Sequence, residues 1–403
     1  MYRIVVAPSG LKESLSAAEA AEAIAEGLAR ALPDAAVELL PLVDGGEGTA
    51  RALAAAGGGR VVPCLATGPV GEPVSTHYAL LPEPHGGPGT AVVEMAAVAG
   101  LALVPVGRRD PARTTTRGVG ELVRAALDAG ARRILVGCGD SGTSDGGAGA
   151  LQALGARLLD AAGRELPPGG GALARLDRVD ATGLDPRLAT ADLAVATNPF
   201  NVLCGPRGVA RVFGPQKGAT PEQVDELSGA LDHWATVLER DLAPRGVDLR
   251  TGPGTGASGG LGAGLAALGA RLRPRFEVFL DHLDLDARLA AADLVITAEG
   301  ALDAQTPFGK IPGEVARRAK ALGVPVLALA GTLGEGAGEV HLTGVDAYHG
   351  ILPAPVALPE ALARAREFLT DAAERAARML LLGSRLPARA GAADRSGRPR
   401  PTH

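Results

Sequence analysis

The chain has 403 residues, more than one hydrophobic core usually organises, so two domains are expected. Aromatic residues make up only 2% of it and its formal net charge is −5, which argues against single-stranded nucleic acid and anionic membranes as partners. Because its three cysteines are scattered and no apolar run reaches the roughly 18 residues of a membrane helix, we expect a cytoplasmic protein that binds a small molecule.

Segments typical of strands and of helices alternate along the chain, which predicts a parallel α/β architecture. The first strand is predicted at residues 3–7, and Ser16 and Glu19 have the spacing of a capping box at the start of the first helix. Further strands are predicted at residues 37–42, 91–95, 134–137, 293–297, 324–330 and 345–352. Further helices are predicted at residues 120–129, 147–159, 221–240, 313–322 and 359–382. Residues 384–403 hold five arginines and one aspartate among Pro, Gly and Ala, which predicts a disordered basic tail.

The run GDSGTSDGG at residues 139–147 follows a predicted strand and combines the features of a phosphate-binding loop. Glycines let backbone N–H groups approach an anion, hydroxyl groups add donors, and carboxylates suit a hard cation such as Mg²⁺. The run DGGEGT at residues 44–49 repeats this chemistry, and polar loops with a lysine are predicted at residues 9–14, 213–218 and 299–310. Since ligands of open α/β sheets bind beyond the carboxyl ends of the strands, we expect these loops to form one site.

Together these loops predict phosphoryl transfer, which needs donors around the phosphates, carboxylates for Mg²⁺ and a carboxylate near the attacking hydroxyl. The chain has no G-x-x-x-x-G-K-[ST] motif, so a nucleotide site of another type is expected. Two alternatives stay open. Gly137, Gly139 and Gly142 fit a dinucleotide fingerprint with Asp160 as the ribose-binding acid, which would indicate an NAD-dependent oxidoreductase. The other alternative is a non-catalytic sensor of a phosphorylated metabolite.

Six segments of the chain occur in an order and spacing typical of one protein family. They are APSGLKESLS at residues 7–16, DGGEGT at 44–49, TTT at 114–116, and the segments at 141–149, 213–220 and 299–310. This set resembles the glycerate kinase family, whose bacterial members are named for phosphorylating D-glycerate with ATP. The resemblance extends from residue 3 to about residue 382, and only the tail lies outside it.

The resemblance implies an enzyme with two α/β domains. Residues 1–64 and 286–383 would form a flavodoxin-like parallel-sheet domain, and the inserted residues 65–285 a second α/β domain, with the active site in the cleft between them. It also implies ATP and Mg²⁺ as cofactors and a phosphoglycerate as product, expected to be 2-phospho-D-glycerate. Phosphorylation of a related hydroxy acid or sugar acid is the alternative activity, and the chain is compatible with a homodimer.

Within these loops we predict roles for individual residues. Asp303 is predicted to be the base that orients the attacking hydroxyl, with Glu299 as the second candidate and Lys12 on a phosphate or the substrate carboxylate. The residues predicted to bind substrate or phosphate are Asp44, Glu47, Gly139, Ser141, Gly142, Thr143, Lys217 and Lys310. Asp145 and Asp44 are the predicted metal ligands. A structural alternative exists for each, because acids can cap a following helix and lysines are commonly surface residues.

The chain departs from the family pattern in several of the same loops. Ser9 replaces an aspartate, Asp140 a glycine, Asn198 an aspartate and Ala301 an arginine. Because side chains at these positions can touch substrate or metal, the departures bear on which hydroxy acid is phosphorylated.

Overall fold

A computed structural model describes residues 2–11, 14–82, 89–279 and 284–385 of the chain. Its strands are β1 (Arg3–Val6), β2 (Ala36–Leu39), β3 (Arg60–Thr67), β4 (Pro73–Leu81), β5 (Thr90–Glu94), β6 (Arg133–Gly137), β7 (Arg157–Leu159), β8 (Arg178–Asp180), β9 (Asp192–Thr197), β10 (Arg271–Pro274), β11 (Leu294–Leu302), β12 (Val326–Leu333) and β13 (Ala347–Gly350). Its helices are α1 (Ala17–Ala31), α2 (Thr49–Ala56), α3 (Ala96–Ala99), α4 (Arg117–Asp128), α5 (Ala148–Ala153), α6 (Val209–Phe213), α7 (Pro221–Asp241), α8 (Ala257–Ala267), α9 (Arg275–Phe279), α10 (Leu285–Ala290), α11 (Ile311–Ala321), α12 (Val340–Thr343), α13 (Leu358–Ala363) and α14 (Ala365–Ser384). The predicted α/β class with parallel sheets is confirmed.

The first sheet joins the two ends of the chain. Its five parallel strands lie in the order β2-β1-β11-β12-β13, which is the 2-1-3-4-5 order of flavodoxin-like sheets. Ile4 of β1 pairs with Leu294 of β11. Helix α1 begins with the predicted capping box, in which the Ser16 N–H donates to Glu19 Oε2 at 2.8 Å and the Glu19 N–H donates to Ser16 Oγ. On one face of the sheet α1 packs against α14, and Ile24 lies in the buried cluster there.

The second sheet is mixed and has six strands in the order β10-β9-β6-β5-β4-β3. The first four are parallel, whereas β4 and β3 are antiparallel additions that the sequence analysis did not predict. The helix predicted at residues 147–159 is wrong beyond Ala153. Gly155 has a φ of +106°, which favours glycine and ends the helical turn, and the next residues form β7. The helix predicted at residues 221–240 is confirmed as α7, with Thr220 and Gln223 in a capping box.

The chain passes from the first sheet to the second between β2 and α2. Helix α2 packs on β3, β4 and β5, and its Leu53 shares a buried cluster with Val92 of β5. The predicted domain boundary between residues 64 and 65 falls inside β3. A boundary before α2 agrees better with this packing, and the division into domains stays a prediction.

Three further bounds differ from those predicted. Strand β11 extends past its predicted end at Thr297 to Leu302, and the helix predicted at residues 359–382 is divided into α13 and α14. Because α14 reaches Ser384, the predicted tail begins inside a helix, and residues 386–403 lie outside the described residues. Within the described ranges, no helix is both long enough and apolar enough to cross a membrane.

Candidate active site

Two of the predicted loops touch each other, the loop after β2 and the loop after β6. Gly139 lies so close to Gly46 that a Cβ atom on Gly139 would be 2.6 Å from the Gly46 Cα. The Glu47 N–H donates to Asp140 Oδ2 at 3.3 Å. The backbone of Asp140 has a φ of +48°, a left-handed conformation that aspartate tolerates better than most residues. The carboxylates of one loop and the glycines and hydroxyls of the other therefore meet at one edge.

Only the first part of the loop after β6 is accessible. Asp140 is exposed and Ser141 is half-buried, whereas Thr143 is fully buried. The Gly142 N–H donates to the Ala99 carbonyl at 2.9 Å, so this amide is already used within the protein. These contacts argue against direct phosphate binding by Gly142 and Thr143, and they leave residues 139–141 as the part of the loop that a ligand can reach.

Lys217 lies beneath this loop and not at the surface. It is only 2% exposed, and its Nζ donates to Ser141 Oγ at 2.8 Å and to the Thr143 carbonyl at 2.6 Å. Burial lowers the pKa of Lys217 to about 7, and the nearby Asp145 opposes that shift. Because Ser141 Oγ accepts from Lys217, the hydroxyl proton of Ser141 is left to donate elsewhere, for example to a phosphate oxygen.

Asp145 is fully buried and is surrounded by donors of the protein. It accepts hydrogen bonds from Thr116 N at 2.8 Å, Thr116 Oγ1 at 2.9 Å, and Gly147 N and Gly149 N at 3.1 Å. Burial raises the pKa of Asp145, against these hydrogen bonds, which lower it. A carboxylate can accept about four hydrogen bonds, and the protein itself donates four to Asp145. The contacts fit the capping alternative for Asp145, at the start of α5, better than the predicted role of metal ligand.

Gly259 packs directly under the buried half of the same loop. Its φ is +70°, and a Cβ atom at this position would overlap the Thr143 carbonyl oxygen. Its own carbonyl accepts from Gly146 N at 3.0 Å. In the described part of the chain, the buried hydroxyls of Thr143 and Ser144 have no hydrogen-bond partner. The lower half of the loop is thus a closely packed structural layer.

Glu94, which the sequence analysis did not select, ends β5 and holds the loop after β2. It is 1% exposed and accepts hydrogen bonds from Gly48 N and Ala50 N, both at 2.9 Å. Burial raises the pKa of Glu94 to about 7, while the two amides lower it. These N–H groups lie at the N-terminus of α2, so Glu94 caps that helix from a different element. The sequence did contain one sign of this role, because Glu94 is a carboxylate at the end of an otherwise apolar predicted strand.

Arg275 is the second residue that the sequence analysis missed. Its side chain is 12% exposed, and Nη1 donates to Asp44 Oδ2 at 2.6 Å while Nη2 donates to the Gly309 carbonyl. One guanidinium group therefore connects the loop after β2 to the loop after β11. The sequence carried no clear signal, because Arg275 follows the short strand β10, in which arginines alternate with Leu272 and Pro274.

The predicted base and its neighbouring lysine form an ion pair. Lys310 Nζ lies 3.0 Å from both carboxylate oxygens of Asp303 and also donates to the Ala301 carbonyl at 3.1 Å. Asp303 and Lys310 remain partly accessible, with 30% and 21% of their side chains exposed. Glu299 is half-buried and lies within β11, not in the predicted loop, because the strand continues to Leu302.

The remaining candidates are placed as follows. Lys12 lies outside the described residues. Ser9 is buried and its Oγ donates to the Ala298 carbonyl at 3.0 Å. Asn198 Nδ2 donates to the Phe308 carbonyl at 3.3 Å, and Asn198 Oδ1 accepts from Phe200 N at 3.0 Å.

The alternative dinucleotide fingerprint does not have its expected surroundings. The helix after β6 begins only at Ala148, six residues beyond the last fingerprint glycine, Gly142. Asp160 accepts from the backbone N–H groups of Ala162 and Arg164 at 2.9 Å and forms an ion pair with the Arg164 side chain. Asp160 therefore stabilises a turn after β7.

Comparisons with known proteins agree with these motifs. The sequence model described as "Glycerate kinase family" matches residues 4–381. A glycerate kinase of Bacillus subtilis (strain 168) is 47% identical over 91% of this chain and 94% of its own length, and a glycerate 2-kinase of Escherichia coli (strain K12) is 44% identical over 95% and 99%. A crystal structure assigned to glycerate kinase 2 of Salmonella typhimurium LT2 superposes with a TM-score of 0.74, at 44% identity, over 96% of this chain and 100% of that one.

Proposed function

This chain belongs to the glycerate kinase family, and we propose that it transfers the γ-phosphate of ATP to a hydroxyl of D-glycerate, giving 2-phospho-D-glycerate and ADP. The observation that carries the proposal is the contact between the loops after β2 and β6, which joins carboxylates, a hydroxyl and backbone amides at the carboxyl edge of the strands. A cytoplasmic location and a homodimer stay predictions.

We assign the phosphate contacts to the accessible start of the loop after β6. The Gly139 backbone and the Ser141 hydroxyl are the donors proposed to contact the phosphate oxygens. Lys217 acts on the phosphate through Ser141, since its amine is buried and holds Ser141 Oγ at 2.8 Å. Gly142 and Thr143 shape the loop from below. Lys12 is proposed to bind a phosphate or the substrate carboxylate.

The oxygen donors of the loop after β2 fit Mg²⁺. No cluster of three or more His, Cys, Asp or Glu suited to a metal occurs among the residues that the structure describes. Mg²⁺ that arrives on ATP, however, needs only one or two protein carboxylates in addition to phosphate oxygens and water. Glu47 is exposed and 37% of the Asp44 side chain is exposed, so both can supply them. Such an ion would neutralise charge on the transferred phosphoryl group.

Asp303 is proposed as the group that orients and accepts the proton of the attacking hydroxyl. Lys310 contacts both of its carboxylate oxygens and so fixes its direction. Because phosphoryl transfer is loose, the proton leaves late, and placement matters more than basicity. Glu299, which lies earlier on β11, is the second candidate.

A coupled assay tests the proposal. ADP release that requires D-glycerate, ATP and Mg²⁺ is expected, and ³¹P NMR of the product separates 2-phosphoglycerate from 3-phosphoglycerate. A panel of small hydroxy acids and sugar acids belongs in the same experiment, because Asp140 adds a carboxylate beside Glu47. Absence of ADP with every acid would refute the kinase proposal, and turnover of another acid alone would replace glycerate as the substrate.

A further inference from the structure

We propose that the side chains of Phe200 and Phe308 form an aromatic platform that stacks against the purine ring of the nucleotide. The proposal rests on the function proposed above, because it names where the base of ATP lies in the same site. The pair Phe200 and Phe308 is called the aromatic platform below.

The exposure of the two rings is unusual for this chain. The sequence has six phenylalanines, three tyrosines and one tryptophan, and all ten lie within the described residues. Of these, only Tyr2, Phe200 and Phe308 are exposed, at 50%, 54% and 59%. Tyr2 precedes β1 and lies at the amino end of that strand, the edge opposite to the site. The aromatic platform thus contains both exposed aromatic rings at the carboxyl edge.

The two rings contact each other across the two sheets. Phe200 follows β9 of the second sheet, and Phe308 lies in the loop after β11 of the first. Their centroids are 6.2 Å apart and their planes meet at 88°, an edge-to-face arrangement that leaves ring faces open for a further contact.

The backbone holds the platform beside the phosphate-binding loops. Asn198 connects its two halves, since its amide donates to the Phe308 carbonyl and accepts from the Phe200 N–H. Gly309 follows Phe308 in sequence, and its carbonyl accepts a hydrogen bond from Arg275. The same guanidinium group forms an ion pair with Asp44. A continuous set of contacts therefore leads from the platform to a carboxylate proposed to hold the metal that accompanies the phosphates.

The chemistry of the ligands identifies the occupant. Glycerate is a small, charged acid without a flat apolar surface, so it cannot stack on a phenyl ring. The triphosphate is an anion that needs donors and a cation. The purine is the one flat, weakly polar part of the reactants, and base–aromatic stacking contributes about 1–3 kcal/mol per base. Two exposed phenyl rings beside the phosphate loops match it.

The test compares F200A and F308A with Y2A, which removes the exposed aromatic ring at the opposite edge. Each platform variant is expected to raise the KM for ATP about fivefold or more, with the KM for D-glycerate unchanged, and Y2A to leave both unchanged. Inorganic tripolyphosphate, which lacks the base, should inhibit wild type and variants equally. F200W and F308W keep an aromatic face and should restore ATP binding if an alanine variant folds poorly.

The outcomes separate the two proposals. If the wild type releases no ADP with D-glycerate, the proposed function fails. If the wild type is active and the alanine variants keep the wild-type KM for ATP, the platform is refuted while the kinase proposal stands. A raised KM for D-glycerate alone, or weaker tripolyphosphate inhibition in the variants, would also refute it, because the rings would then act on the acid or on the phosphates.

Discussion

Glu94 predicts a specific dependence of stability on pH. Its pKa is raised from an ordinary 4.5 to about 7, chiefly by burial, with the amides of Ala50 and Gly48 and the charge of Arg51 opposing the shift and the charge of Glu47 adding to it. A carboxyl whose pKa is higher in the folded state binds its proton more tightly there. Its contribution to stability is therefore fully present below pH 4.5 and is lost as the pH rises through 7.

The size of the effect follows from the shift. Each pKa unit corresponds to about 1.4 kcal/mol, so this group alone should lower the free energy of unfolding by about 3 kcal/mol between pH 4.5 and pH 7. The variant E94Q cannot titrate, and its free energy of unfolding should lack this decline. Since Gln offers one acceptor oxygen for the N–H groups of Gly48 and Ala50, E94Q should also lower kcat by displacing the loop after β2.

Urea unfolding of wild type and E94Q at pH values from 4.5 to 8 measures the difference, in which all other titrating groups cancel. E226Q serves as the matched control, because Glu226 is an exposed carboxyl on α7 and its variant should follow the wild-type pH profile. Parallel profiles for wild type and E94Q would show that Glu94 titrates in the same range whether the chain is folded or unfolded, and the reasoning from its burial would be wrong.

Three other substitutions test the site. D303N should lower kcat by orders of magnitude at an unchanged melting temperature, and near-normal turnover would remove Asp303 from the role of base. R275K keeps the charge beside Asp44 but cannot donate to Asp44 and Gly309 at the same time as the guanidinium does, so kcat should fall about tenfold in steady-state kinetics. Full activity would show that this double contact is dispensable. G259A should destabilise by about 2 kcal/mol or more in urea unfolding, because of its positive φ and the overlap with the loop after β6, whereas G229A in the open interior of α7 should stabilise by about 0.5–1 kcal/mol; equal effects of the two would contradict this argument.

The sequence predicted those elements of the fold that depend on a local pattern of residues. The capping box of Ser16 and Glu19 and the apolar run of β6 each consist of residues close together in sequence. Helix α1 and strand β6 occur where these patterns predicted them. The antiparallel strands β3 and β4 were missed because apolar and polar residues do not alternate regularly along them and each strand contains a proline. The pairing of β4 with both β3 and β5 stabilises them, and no pattern within either strand predicts it.

The site shows the same division. Glycines and hydroxyls in the sequence predict the loop after β6. Which of these groups a ligand can reach depends on Lys217 and Gly259, which lie more than 70 residues away in sequence. Glu94 and Arg275 act on loops 44 and 231 residues distant in sequence. Their residue types alone are common, and only the folded contacts give them a role.

The first sheet has a consequence for how the chain folds during synthesis. Its earliest strand, β1, lies between β2 and β11, and the partners Ile4 and Leu294 are separated by nearly three quarters of the sequence. Until β11 leaves the ribosome, one edge of β1 has no strand to pair with and the apolar faces around it stay uncovered. The second sheet, whose strands lie entirely within residues 60–274, can be completed earlier. The first segment made is thus part of the last sheet to close, and a chain interrupted before residue 294 presents an unpaired, aggregation-prone edge at its very beginning.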